Sequence, residues 1–131
     1  MWKAFILLIL SIILFIGVEP ECSGLHCLTN DYRASNNLKR LYYSEEATAV
    51  AKKRAEYLCD TDTFSHDNWL SFVDFNYSKV GENLAQGYKT DSDTLQALLA
   101  SKSHREVIEG DYTHIGVYTQ CGITVQIFMK E

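Results

Sequence analysis

One proline and seven glycines in 131 residues leave few helix breakers, and with no internal repeat they exclude collagen-like, low-complexity and solenoid classes. The four cysteines, Cys22, Cys27, Cys59 and Cys121, contain no Cys-x-x-Cys pair, which speaks against a thiolate metal site. Positive charge is scarce and scattered: 12 Lys and Arg stand against 17 Asp and Glu for a formal net charge of -5, and the densest basic run is Lys52-Lys53-Arg54. A phosphate backbone needs a clustered positive face, so nucleic acid is not an expected partner. What the chain does have is a hydrophobic content of 47%. At this length that means one domain with a sizeable core and no room for a second.

The longest apolar run, residues 4–18, is interrupted only by Ser11 and follows Met1-Trp2-Lys3. A short positive start and an apolar core of this length read as a secretory leader. The alternative is an uncleaved membrane anchor formed by residues 4–18, although a spanning helix wants ~20 apolar residues. No small-x-small site follows at Val18-Glu19-Pro20-Glu21, and the later candidate lies after Cys22-Ser23-Gly24. Residues 1–24 are therefore set aside as signal peptide or anchor, and residues 25–131 as the folded domain. Removing 1–24 takes away Lys3, Glu19 and Glu21 and leaves a net charge of -4.

Export makes disulfides the natural use of cysteine. Four cysteines allow three pairings, and cleavage after Gly24 would leave three. At least one disulfide is expected among Cys27, Cys59 and Cys121, involving Cys59, because that residue sits at a helix end where a crosslink adds ~2–4 kcal/mol.

Along the chain, residues 28–35 read as a short helix with Leu28 and Tyr32 on one face, ended by Asn36-Asn37, and Leu38 and Leu41 anchor an extended link. Ser44 is a candidate N-cap for a helix over 45–59, with Glu45 and Glu46 at its positive end and Ala47, Val50, Ala51, Ala55 and Leu58 at helical spacing. Lys52, Lys53 and Glu56 would form its solvated face. Residues 80–86 alternate weakly as a short strand. Asp93 and Gln96 resemble a capping box before a third helix with Leu95, Leu98 and Leu99, running to Ser101 or Lys102. Residues 113–118 and 123–129 read as a hairpin joined by 119–122.

Three polar signatures are threaded between these elements: Phe64-Ser65-His66, Gly81-Glu82-Asn83-Leu84-Ala85 and Ser103-His104-Arg105. Imidazole and carboxylate can hold a divalent metal or relay a proton, and only a folded chain could bring positions this far apart together. Asp67 could orient His66 or cap the next turn. Arg105 is expected to tie the helix end to a carboxylate or carbonyl. Trp69, Phe72, Phe75 and Tyr77 are expected to close a core edge, and Asn76-Tyr77-Ser78 is a glycosylation sequon only in a eukaryotic secretory pathway.

These signatures, with Asn30 and Arg33 before them and Tyr112-Thr113-His114-Ile115-Gly116-Val117 after them, resemble the CAP superfamily (SCP domain; cysteine-rich secretory, venom-antigen and pathogenesis-related proteins), in order from about residue 30 to 128. The resemblance is to the short bacterial single-domain type. It implies an α+β fold, an α-β-α sandwich with a three-stranded antiparallel sheet between helical layers. It also implies a cavity formed by His66, Glu82, His104, Asn83 and Ser101. Eukaryotic members carry a second cavity glutamate where this chain has Ser101, so His66, Glu82 and His104 remain as candidate metal ligands. Two imidazoles and a carboxylate suit Zn²⁺ or another divalent cation better than calcium.

Three functions follow as expectations. The first is a secreted, monomeric binding module for a divalent cation and for a lipid or other small hydrophobic ligand, touching membrane only through an uncleaved leader. The second is a metal-dependent, protease-like hydrolase, and the third a non-catalytic host-interaction effector. Ser65 and Ser103 adjoin histidines, but neighbours in sequence rarely have triad geometry.

Overall fold

The computed structural model describes residues 24–131, so the leader expectation for residues 1–24 falls almost wholly outside the described residues. Among the described residues no helix is long and apolar enough to cross a membrane.

The longest helix, α2 (Glu45–Asp60), forms as its sequence dictates. The Ser44 hydroxyl accepts from the Ala47 amide at 3.0 Å, Glu45 and Glu46 occupy the positive end, and Ala47, Val50, Ala51, Ala55 and Leu58 are buried along one stripe. That stripe covers one face of a sheet built from β2 (Lys79–Gln86), β3 (His114–Gln120) and β4 (Ile123–Lys130). A Cβ on Gly116 would run into the backbone of Ala47 and Thr48, so the missing side chain is what lets α2 lie directly on β3.

The opposite face carries α1 (Leu25–Ser35), α3 (Asp91–Ala100) and α4 (Lys102–Ile108), packed through Leu25, Leu41, Leu95, Leu98, Ile108 and Phe128. Two buried polar side chains tie α1 down. The Asn30 amide exchanges hydrogen bonds with both Leu41 backbone groups, and the Arg33 guanidinium donates to the Lys39, Ile108 and Gly110 carbonyls. Burial lowers the Arg33 pKa, a shift opposed by Asp111.

The α-β-α sandwich holds, with three refinements. The three antiparallel strands gain a fourth, β1 (Tyr42–Tyr43), which extends the expected link and pairs parallel with β3, giving the order β1-β3-β4-β2. The third helix starts from Thr90, whose hydroxyl accepts from the Asp93 amide at 3.0 Å, three residues before the expected box. It stops at Ala100; Ser101 is extended, and α4 begins a second helix that contains His104. The β3–β4 hairpin turns on Cys121 and Gly122 alone, both at positive φ, the primed geometry that matches strand twist. Cys59 and Cys121 form a disulfide from the end of α2 to that turn, and Cys27 is likewise disulfide-bonded.

Candidate functional site

Position 54 lies on the apolar stripe of α2, and Arg54 is fully buried there. A guanidinium taken out of water needs an anion and several acceptors. Arg54 finds the anion in Glu82: Nε donates to Oε2 at 2.8 Å and Nη2 to Oε1 at 3.2 Å, a two-pronged charged contact. Nη2 also donates to the Ser65 carbonyl at 2.8 Å, and Nη1 reaches the Asp67 carbonyl at 3.5 Å. The ring of Phe72, in a 3₁₀ turn over Trp69–Phe72, stacks on the guanidinium at 5.2 Å. One side chain therefore grips β2 and the backbone on both sides of His66.

His66 follows α2 on that loop, with Nδ1 2.9 Å from Glu82 Oε1. The imidazole is 54% exposed while the carboxylate is 1% exposed, so a buried anion orients a ring that faces solvent. A carboxylate paired with a guanidinium is acceptor-only, so in the neutral ring Nδ1 is the nitrogen that carries hydrogen and Nε2 the one with the lone pair.

Asn83, the next residue on β2, projects to the other face of the sheet. Its Nδ2 donates to the His104 carbonyl at 3.1 Å and to Gln126 Oε1 at 3.3 Å, and Gln126 Nε2 donates to Thr29 Oγ1 at 3.0 Å. A chain of neutral groups thus runs from α1 through β4 and β2 to the first turn of α4. Asn83 Oδ1 is buried without a partner among the described residues. His104 has its pKa lowered, first by burial and then by the charge of His66, which places the two imidazoles within electrostatic reach of each other.

Among the described residues strand β2 pairs only with β4, which leaves its other edge open there. A cleft of about 410 Å³ lies along that edge, lined by Phe64, Leu84, Tyr88, Leu98, Ser101 and His104. A larger groove of about 890 Å³, between Glu46, Asp74, Phe75 and Tyr77, touches none of the expected site residues.

Of the sequence-derived set, Ser101 and His104 line the smaller cleft, while His66, Glu82 and Asn83 are not among its lining residues, and Glu82 is held between Arg54 and His66. Both of its oxygens are engaged, by Arg54 and His66. Among the described residues no group of three or more His, Cys, Asp and Glu side chains is placed to hold a metal ion. The donor set that remains is two imidazoles with a carboxylate behind one of them, the outer arrangement that metal-bound histidines usually have. Ser101 lines the cleft, and its hydroxyl lies 3.3 Å from that of Ser103. Asp67 does not orient His66; its amide donates to Ser65 Oγ at 3.0 Å. Arg105 ties helix ends as expected, donating to the Leu99 carbonyl at 3.1 Å. His114 sits at the start of β3 against Thr113 and Tyr42, away from the cleft.

Sequence reasoning missed Arg54, Gln126 and Thr29. Arginine reads as surface, yet position 54 lies three residues after Ala51 and four before Leu58, a spacing that already placed it on the buried stripe. No comparable signal marks Gln126 and Thr29.

Comparison with known proteins agrees with this fold. The profile of the CAP, Cysteine-rich secretory protein family, matches residues 27–126. The chain is 30% identical over 105 residues to the uncharacterized protein YkwD of Bacillus subtilis, covering 72% of this chain and 41% of that one. It therefore spans about two fifths of that relative's length. Among solved structures, an extracellular SCP-domain protein from Bacillus anthracis superposes with a TM-score of 0.77 at 26% identity, over 82% of this chain and 39% of its own. An outer surface protein from Borrelia burgdorferi superposes with a TM-score of 0.73 at 27% identity, over 82% of this chain and 90% of its own. With the fold, the order of signatures and a profile match over most of its length in agreement, the chain belongs to the CAP, or cysteine-rich secretory protein, family.

Proposed function

We propose that this CAP domain works outside the cell as a binding module, in which His66 and His104 take a zinc-type divalent cation and the adjoining cleft takes a small hydrophobic ligand. The observation that carries the reading is the 2.9 Å contact from His66 Nδ1 to Glu82 Oε1. A carboxylate behind an imidazole fixes its tautomer and raises its basicity as a donor, which is the support that metal-bound histidine needs. Two neutral imidazoles favour borderline metals over calcium or magnesium. The cation would supply a positive charge for a polar group of the ligand, while Phe64, Leu84 and Leu98 offer apolar surface beside it. Export is supported by the character of residues 4–18 and by relatives described as extracellular or outer-surface proteins.

With only two protein donors, affinity should be modest. Calorimetric titration of Zn²⁺ into the chelator-stripped, disulfide-bonded full chain in mild detergent should give one saturable site. His66→Ala and His104→Ala should each abolish it. Equal heats from all three proteins, or none from the parent at millimolar metal, would overturn the proposal.

A further inference from the structure

Every strong contact of Arg54 leads to His66. Its guanidinium holds both oxygens of Glu82, which bonds the ring, and it holds the carbonyls of Ser65 and Asp67, which flank the ring in sequence. We propose that Arg54 is a positioning residue that decides which ring nitrogen His66 presents to a ligand.

The argument has two parts. A half-exposed imidazole on a loop would ordinarily exchange between its two neutral tautomers. The guanidinium fork keeps Glu82 an acceptor with its oxygens fixed, so whichever ring nitrogen meets Oε1 must carry hydrogen. The two carbonyl contacts then fix the backbone from which the ring departs, and Nδ1, the nitrogen nearer the backbone, is the one that meets the carboxylate. Nε2 is left with its lone pair. Lysine could supply the charge but not the fork, because an ammonium is a point charge and cannot grip a carboxylate in two places while holding two carbonyls. The assignment deepens the binding reading above, since Nε2 is the atom a cation would take, yet the tautomer itself exists without any metal.

Nitrogen-15 NMR of the chelator-stripped, disulfide-bonded full chain, at a pH above the histidine range, reads that tautomer directly. In the parent, His66 should show a pyrrole-type Nδ1 and a pyridine-type Nε2, with the Nδ1–H form in about tenfold excess, as a charge-assisted hydrogen bond implies. Replacing Arg54→Met together with Glu82→Gln removes both charges without stranding either, and the excess should fall about tenfold. Arg54→Lys should lower it by a smaller factor. A parent in which Nε2–H predominates overturns the proposal, as does a folded double variant with the parent's ratio. Should the double variant not fold, a lysine variant with an unchanged ratio overturns it equally. Metal is absent throughout, so loss of the zinc-binding reading would leave this result standing, and the converse also holds.

Discussion

The two faces of the sheet hold the two histidines by different chemistry. On the α2 face a buried ion pair, Arg54 with Glu82, positions His66 by its ring. On the other face a run of neutral amides and a hydroxyl, Asn83, Gln126 and Thr29, positions His104 by its backbone carbonyl. Adjacent residues of one strand serve the two faces because side chains alternate across a strand. The charged device fixes a tautomer, and it strands a charge if either partner is lost. The neutral device fixes only a helix turn, leaves the His104 ring to its surroundings, and costs less to break.

Breaking the charged side should produce the largest effect. Arg54→Met alone leaves Glu82 buried without its guanidinium and should destabilise the fold by about 3–5 kcal/mol in denaturant titration, whereas Arg54→Met with Glu82→Gln should recover most of that loss. Next comes the crosslink beside it. Cys59 and Cys121 join the end of α2, just before the His66 loop, to the β3–β4 turn across 62 residues of sequence. Replacing both by serine should cost about 2–4 kcal/mol in the same titration, and intact mass with and without reductant checks the bond itself.

On the neutral side, Asn83→Ala deprives the His104 carbonyl and Gln126 of a donor. It should cost about 1–3 kcal/mol, less than Arg54→Met, and equal losses would erase the contrast between the faces. The smallest effect concerns pH. Unfolded histidine titrates near ~6.5, and folded His104 titrates lower, through burial and the charge of His66. The unfolded chain therefore binds this proton first as pH falls. Stability contributed by neutral His104 is complete above ~6.5 and is lost as pH drops from there through the lowered folded value. With metal removed by chelator, His104→Gln should flatten that part of the stability profile.

Much of this was legible in the residues. Ala47, Val50, Ala51, Ala55 and Leu58 announced α2, and Ser44 its start, because periodicity and capping are local. The hairpin was legible for the same reason, as alternation over 123–129. The polar signatures made His66, Glu82, Asn83, Ser101 and His104 the expected set, and the structure shows the Glu82–His66 contact and the Asn83–His104 contact within it. The end of the third helix near Ser101 was legible, but the second helix that follows it at once, α4 with His104, was not. Nor was β1, whose two residues form a strand only because β3 lies alongside.

The sequence by itself determined that this is a mildly acidic α+β chain of the CAP family with two histidines and a glutamate in a common order. Tertiary structure decided what the glutamate does. Arg54 is separated from Glu82 by 28 residues, and its burial depends on α2 lying flat across the sheet. Once there, it must be neutralised, and Glu82 is the carboxylate within reach. The carboxylate thereby joins a guanidinium to an imidazole, because the free energy of a buried charge is set by its neighbours in space.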